Sequence, residues 1–296
     1  MKPHGFRGKN GPPKRSRGAG DARRTAACAP ERGPRREPRP PGQAESPRPD
    51  SAGDLIYGVH SVVAALREGK RQIERLYLSR DRNDSRIHEV HRHARERGIP
   101  AQFVPAATLD RLAGGAHHQG VAAVAAAAAY AGLERILESF GSRGVLLCLD
   151  GIQDPRNLGA ILRTAAASGV RGVVIPTHGA CGLTGVVART AAGALERVPV
   201  ARVPNLAALA LDLKNQGFAA IGLDARGADG WSAGPYPDRV ALFIGGEDGL
   251  RDLVRRRCDR VVRIPMVPGS ESLNVSVAAA VVLYEIVRQA GGVRTD

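Results

Sequence analysis

From Val145 onward the chain alternates between short apolar runs and helix-length segments, and that rhythm leaves little choice of fold. Residues 145–149, 170–175, 198–203, 218–223, 240–244 and 261–264 read as strands rich in Val, Ile and Leu. Strands apolar on both sides and separated by helices form a parallel sheet covered on both faces, because each parallel connection needs a crossover long enough for a helix. The punctuation agrees. Asp154-Pro155 offers an N-cap followed by a first-turn proline, and Gly169 closes that helix. Asn205 caps another, which Gly217 closes.

The end of the chain, IPMVPGSESLNVSVAAAVVLYEIVRQ over residues 264–289, leaves the last strand, passes a Pro/Gly/Ser loop and enters a helix. Ser272 or Asn274 can cap it. Residues 275–283 are apolar or small on every helical face, which predicts burial on more than one side. Ser272, Asn274 and Ser276 sit together at its mouth and need partners if buried. They read either as caps or as the polar rim of a ligand site at the helix N-terminus.

Upstream lies a smaller α/β unit. Residues 59–68 predict a helix, 73–78 a strand, 86–97 a charged helix, 102–104 a strand, 108–112 a helical turn and 121–127 a strand. Before its last strand runs Ala116-His117-His118-Gln119-Gly120, a polar loop. Adjacent histidines point apart on a strand and no further ligand is spaced nearby, so the loop is expected to touch RNA or the other domain and to bind no metal. The expected organisation is therefore a tail over 1–53, a small domain over 54–130, an amphipathic connector over 131–144 and a large domain over 145–296.

Charge narrows the partners. The chain carries a net +14, of which residues 1–53 supply +8 from thirteen Lys/Arg against five Asp/Glu, along with ten of the twenty prolines. Such a segment is expected to be disordered, and a basic arm binds polyanions through counterion release. No apolar stretch is long enough to cross a membrane and the N-terminus lacks a signal-like apolar core, so a cytoplasmic protein is expected. The four cysteines are scattered without C-x-x-C spacing, which fits reduced thiols and no zinc site.

Three stretches at strand C-termini, where open α/β sheets bind ligands, could carry chemistry. In the first, Asp150 to Gly159 leads into a helix with Leu158, Ile161, Leu162 and Ala165 on its buried face. Arg156 and Arg163 lie seven residues apart on another face, with small residues between them. The second is Gly245-Gly246-Glu247-Asp248-Gly249-Leu250, whose glycines permit close backbone approach and whose Glu247 could cap the next helix or hold a cationic or hydroxyl group. The third is the stretch from Ile264 to Ser276. Neither a dinucleotide glycine fingerprint nor a Walker loop is present.

NLGAILRTAAASGV, the GGEDGL loop and IPMVPGSESLNVSVAAAVVLYE closely resemble the three signature motifs of the SpoU (TrmH-type) RNA ribose 2′-O-methyltransferases. IYGVHSVVAAL and HHQGVAA resemble the small RNA-binding domain of those that methylate guanosine in 23S ribosomal RNA. The resemblance implies a SPOUT-type parallel sheet with a C-terminal deep trefoil knot, a homodimer, and S-adenosylmethionine as cofactor. It implies backbone around Gly245, Ile264 and Leu273 holding that cofactor, and Asn157, Arg163, Glu247, Ser272 and Asn274 forming the catalytic surface. Arg156, His118 and Gln119 are the candidate RNA contacts. The glycine loop departs from the family pattern G-x-E-G-x-G, being one residue shorter. The same chemistry on tRNA, a methyltransferase of another rRNA site and a catalytically silent RNA-binding factor are the alternatives.

Overall fold

The computed structural model describes residues 54–82, 84–269 and 272–292; the basic leader and the roles expected of it lie outside the described residues. The first four strands are β1 (Asp54–Tyr57), β2 (Ile73–Ser79), β3 (Ala101–Val104) and β4 (Val121–Ala125). They form one sheet in the order β1-β4-β2-β3, with β4 antiparallel to both its neighbours and β3 parallel to β2. Alternation sends Ile56, Leu76, Leu78, Val121 and Ala123 to one face, under helices α1 (Val59–Glu68) and α2 (Ser85–Glu96). Tyr57, Tyr77 and Ala122 go to the other, against α3 (Ala106–Leu112). The connector contains a short helix, α4 (Leu133–Glu138), whose Ile136 is buried.

A seven-stranded sheet follows. Its strands are β5 (Gly144–Asp150), β6 (Gly172–Pro176), β7 (Val200–Val203), β8 (Ala219–Leu223), β9 (Asp229–Gly230), β10 (Arg239–Gly245) and β11 (Arg260–Arg263). Their order is β7-β6-β5-β10-β8-β11-β9 and every pairing is parallel, as the interleaved apolar runs predict. The helices are α5 (Pro155–Ala167), α6 (Gly185–Thr190), α7 (Leu206–Asn215), α8 (Asp252–Arg257) and α9 (Val275–Gln289). Leu147, Leu149, Leu242 and Ile244 face the core shared with α5 and α9, while Leu146, Cys148, Ala241 and Phe243 face α7, α8 and α4. Burial on both sides explains why these strands carry no polar alternation.

The two sheets are joined through a buried ion pair. Arg71, after α1, places Nη1 3.6 Å from Oε1 of Glu196 in the turn before β7, with side chains 4% and 5% exposed. Arg71 Nε also donates to the Ala126 carbonyl at 2.8 Å, and Arg189 of α6 lies over the Tyr57 ring.

The expectation for the last helix is corrected. Within one chain α9 is buried on a single side, through Ala279, Val282, Leu283 and Ile286. Its other face is open, with Val277 49% and Tyr284 48% exposed. The all-round apolar pattern therefore exceeds what this chain alone can cover.

Candidate active site

Caps decide where the polar side chains of the two central helices point. Asp154 Oδ1 accepts from the Arg156 amide at 2.8 Å, so α5 starts immediately and presents Asn157 in its first turn. On α9 the cap is Asn274 and not Ser272: its Oδ1 accepts from the Ser276 amide at 2.9 Å and from Ser276 Oγ at 2.6 Å. The same Asn274 then uses Nδ2 to donate to Asn157 Oδ1 at 3.0 Å. A single side chain thus caps one helix and ties it to the first turn of another across 117 residues of sequence.

These two asparagines stand on a cleft of about 570 Å³, a volume usual for small-molecule sites. Asn157, Gly245, Glu247, Ile264, Ser272, Leu273 and Asn274 all line it. Leu223, Ile244, Ile264, Met266 and Ala278 supply apolar wall, and Glu247 and Asp248 supply carboxylates. Glu247 faces the cleft and does not cap α8, whose N-cap residue Arg251 makes no side-chain capping bond.

The glycine loop admits no side chain at its start. A Cβ on Gly245 would lie 2.0 Å from the Gly249 carbonyl carbon, and one on Gly246 would lie 2.6 Å from the Gly151 carbonyl oxygen. A bulky residue at 245 would therefore collide with the loop's own backbone before it excluded any ligand. That revises the simplest reading of these glycines as mere clearance for a bound molecule.

Four predicted residues lie elsewhere. Arg163 and Arg156 are exposed on α5 and are not part of the cleft wall. Among the described residues the Arg163 guanidinium makes neither a hydrogen bond nor an ion pair. His118 and Gln119 are engaged within the small domain. Gln119, at φ 54, accepts from the Val59 amide through Oε1 at 3.0 Å and so caps α1. His118 accepts from the Gly120 amide at Nδ1 and faces Asp110 Oδ1 from Nε2 at 3.1 Å.

Two carboxylates outside the expected site residues, Asp224 in the cleft wall and Asp150 at the head of the first stretch, act on the loop after β10. Asp224 follows β8 and lines the cleft; burial pushes its carboxyl up, but bonds from the Arg226 guanidinium and from the Arg226 and Leu250 amides outweigh that and hold it at about 2. Asp150 ends β5, fully buried, and takes the guanidinium of Arg251. A carboxylate at the end of an apolar strand was the available signal, but no spacing rule connects either one to a loop so distant in sequence. Among the described residues no group of three His, Cys, Asp or Glu side chains converges to hold a metal.

The donor set suits a flat heteroaromatic group with a cationic tail, since apolar walls take the ring and Glu247 and Asp248 face the positive charge. S-adenosylmethionine is a molecule of that kind, and the lining of the cleft fits it.

Residues 144–284 match the model described as the SpoU rRNA Methylase family, and residues 55–131 match that for RNA 2'-O ribose methyltransferase substrate binding. The 23S rRNA (guanosine-2'-O-)-methyltransferase RlmB of Xylella fastidiosa is 41% identical over 238 residues, covering 79% of this chain and 96% of that protein. The protein of the same name from Bordetella pertussis is 42% identical over 240 residues, covering 80% and 98%. Among solved structures, the SpoU methyltransferase AviRb from Streptomyces viridochromogenes, in complex with AdoMet, is similar with a TM-score of 0.69 at 26% identity, covering 82% of this chain and 92% of that one. Matched over nearly the whole length of such relatives, the chain belongs to the SpoU rRNA methylase family.

Proposed function

We propose that the protein transfers a methyl group from S-adenosylmethionine to the ribose 2′-hydroxyl of a guanosine in 23S rRNA. The observation that carries the site assignment is the Asn274–Asn157 bond, which locks the mouths of α5 and α9 together over the cleft. The cofactor, when bound, supplies a methyl already activated by its sulfonium. The chain's own residues then have to place the ribose hydroxyl and assist loss of its proton. Arg163 is the group that orients that hydroxyl together with a neighbouring phosphate. A guanidinium is a poor base because it does not readily give up its own proton, so a phosphate oxygen is the better acceptor for the hydroxyl's proton. Asn157, Glu247, Ser272 and Asn274 shape the floor on which the hydroxyl meets the methyl.

The protein works as a homodimer in the cytoplasm, where the rRNA is. The open apolar face of α9, with Val277 and Tyr284, supports pairing with a second copy, and sedimentation as a monomer at micromolar concentration would remove it. The C-terminal segment forms a deep trefoil knot, a reading supported by a cleft built from residues 223–226, 244–249, Ile264, Met266 and 272–275. Pulling the chain from its ends tests the threading, because a knotted chain stays shorter than its contour length.

The functional reading is tested in two steps. Calorimetry should detect S-adenosylmethionine binding to the purified full chain. Mapping of ribose methylation in cells with and without the protein should then lose one guanosine site in 23S rRNA. No binding to the wild-type protein would sink the assignment, and a lost site in tRNA would redirect it.

A further inference from the structure

β10 runs between β5 and β8, and each of those neighbours ends in a carboxylate aimed at the loop that leaves β10. Asp224, after β8, accepts from the Leu250 amide at 2.9 Å through Oδ2. Asp150, the last residue of β5, accepts from the Arg251 amide at 3.0 Å through its own Oδ2. Two consecutive backbone amides are thus gripped from opposite sides of one strand. Each carboxylate also holds an arginine. Arg226 donates to Asp224 from Nε at 2.9 Å and Nη2 at 3.0 Å, and Arg251 donates to Asp150 from Nε at 2.7 Å. Arg226 Nη2 reaches the Leu250 carbonyl as well, at 2.9 Å, so both sides of that residue are tied to the same ion pair.

The loop that leads into these grips is also tied by its own backbone. Gly246 donates to the Asp150 carbonyl at 2.9 Å and Gly249 donates to the Gly246 carbonyl at 3.0 Å. Residues 245–249 make one wall of the cleft. Carboxylates that are 2% and 5% exposed would be costly without partners, and here the partners are the loop's own exit and its flanking arginines. We propose that Asp150 and Asp224 are positioning residues that hold the 245–251 loop in its cofactor-receiving shape. The inference rests on the methyltransferase reading of the cleft.

The test uses the full chain with Asp224→Asn and Asp150→Asn, which keep size and one acceptor but lose the charge that holds the arginine. Each should weaken S-adenosylmethionine binding at least about tenfold, the loss of one charged hydrogen bond. The KM for RNA should stay put, turnover should recover at saturating cofactor, and amide exchange at Leu250 and Arg251 should quicken. Arg226→Gln and Arg251→Gln alter the partly exposed partners, so they guard against a misfolded aspartate variant and should weaken binding in the same direction. Cofactor affinity within about twofold of wild type in these four variants overturns the proposal, even if melting temperatures fall. So does a turnover defect that saturating cofactor leaves in place. A wild-type protein that fails to bind S-adenosylmethionine refutes the functional reading instead, while the amide exchange still reports on the two grips.

Discussion

Arg163→Lys should cost at least about a hundredfold in single-turnover methyl transfer, the scale of a misplaced reacting group, while cofactor binding persists. The side chain is exposed on α5 and outside the cleft wall, so its loss leaves the lining of the cleft intact. Six steps along the helix from Asn157, about 9 Å along the axis and about 240° around it, put Arg163 outside the floor of the cleft. No partner within the described chain fixes its guanidinium, so its planar fork is available to a hydroxyl and a phosphate together. Lysine keeps the charge and loses the fork. A lysine variant with near-normal single-turnover rate would make Arg163 an ordinary phosphate contact.

The second large effect is on stability. Arg71→Met should destabilise the fold by about 3–5 kcal/mol at pH 8, because it strands the Glu196 carboxylate in the junction between the sheets. Burial already pushes the Glu196 carboxyl above its ordinary 4.5, with Arg71 pulling against it. A folded-state value above the unfolded one gives a contribution that is present below the unfolded pKa and lost as pH rises through the folded pKa. Removing Arg71 takes away the downward pull and widens that window. The variant's melting temperature should therefore recover between pH 8 and pH 4.5 relative to wild type. Arg71→Met/Glu196→Gln should abolish the recovery; a single variant whose deficit is flat across that range would mean the carboxylate is not the source.

The parts of the fold legible in the sequence are those where local and tertiary preferences coincide. Residues 145–149 and 240–244 are apolar on both sides because both sides are buried, and Asp154-Pro155 and Asn205 announce helix starts that the backbone adopts. The two-residue β9 is invisible because Asp229 and Gly230 have no strand character and extend only against β11. The choice between Ser272 and Asn274 as cap was open in the sequence; Asn157, which lies on another helix, is the partner that Asn274 also meets. Gln119 looks like a loop residue free to meet RNA, yet it caps α1 from 60 residues away. Asp150 and Asp224 follow the same logic, since their targets exist only after β10 has been laid between β5 and β8.

That late insertion bears on how the chain is made. The ribosome emits both β5 and β8 before β10, so until residue 245 is out the two strands have unpaired edges facing an empty central lane. The small domain's four strands fall within residues 54–125 and can pair early, whereas the large sheet must wait for a non-local strand before its middle closes. A nascent chain stalled between residues 223 and 239 would be the species most exposed to sticking to its neighbours. Slow codons or a waiting chaperone would matter most in that short interval of synthesis.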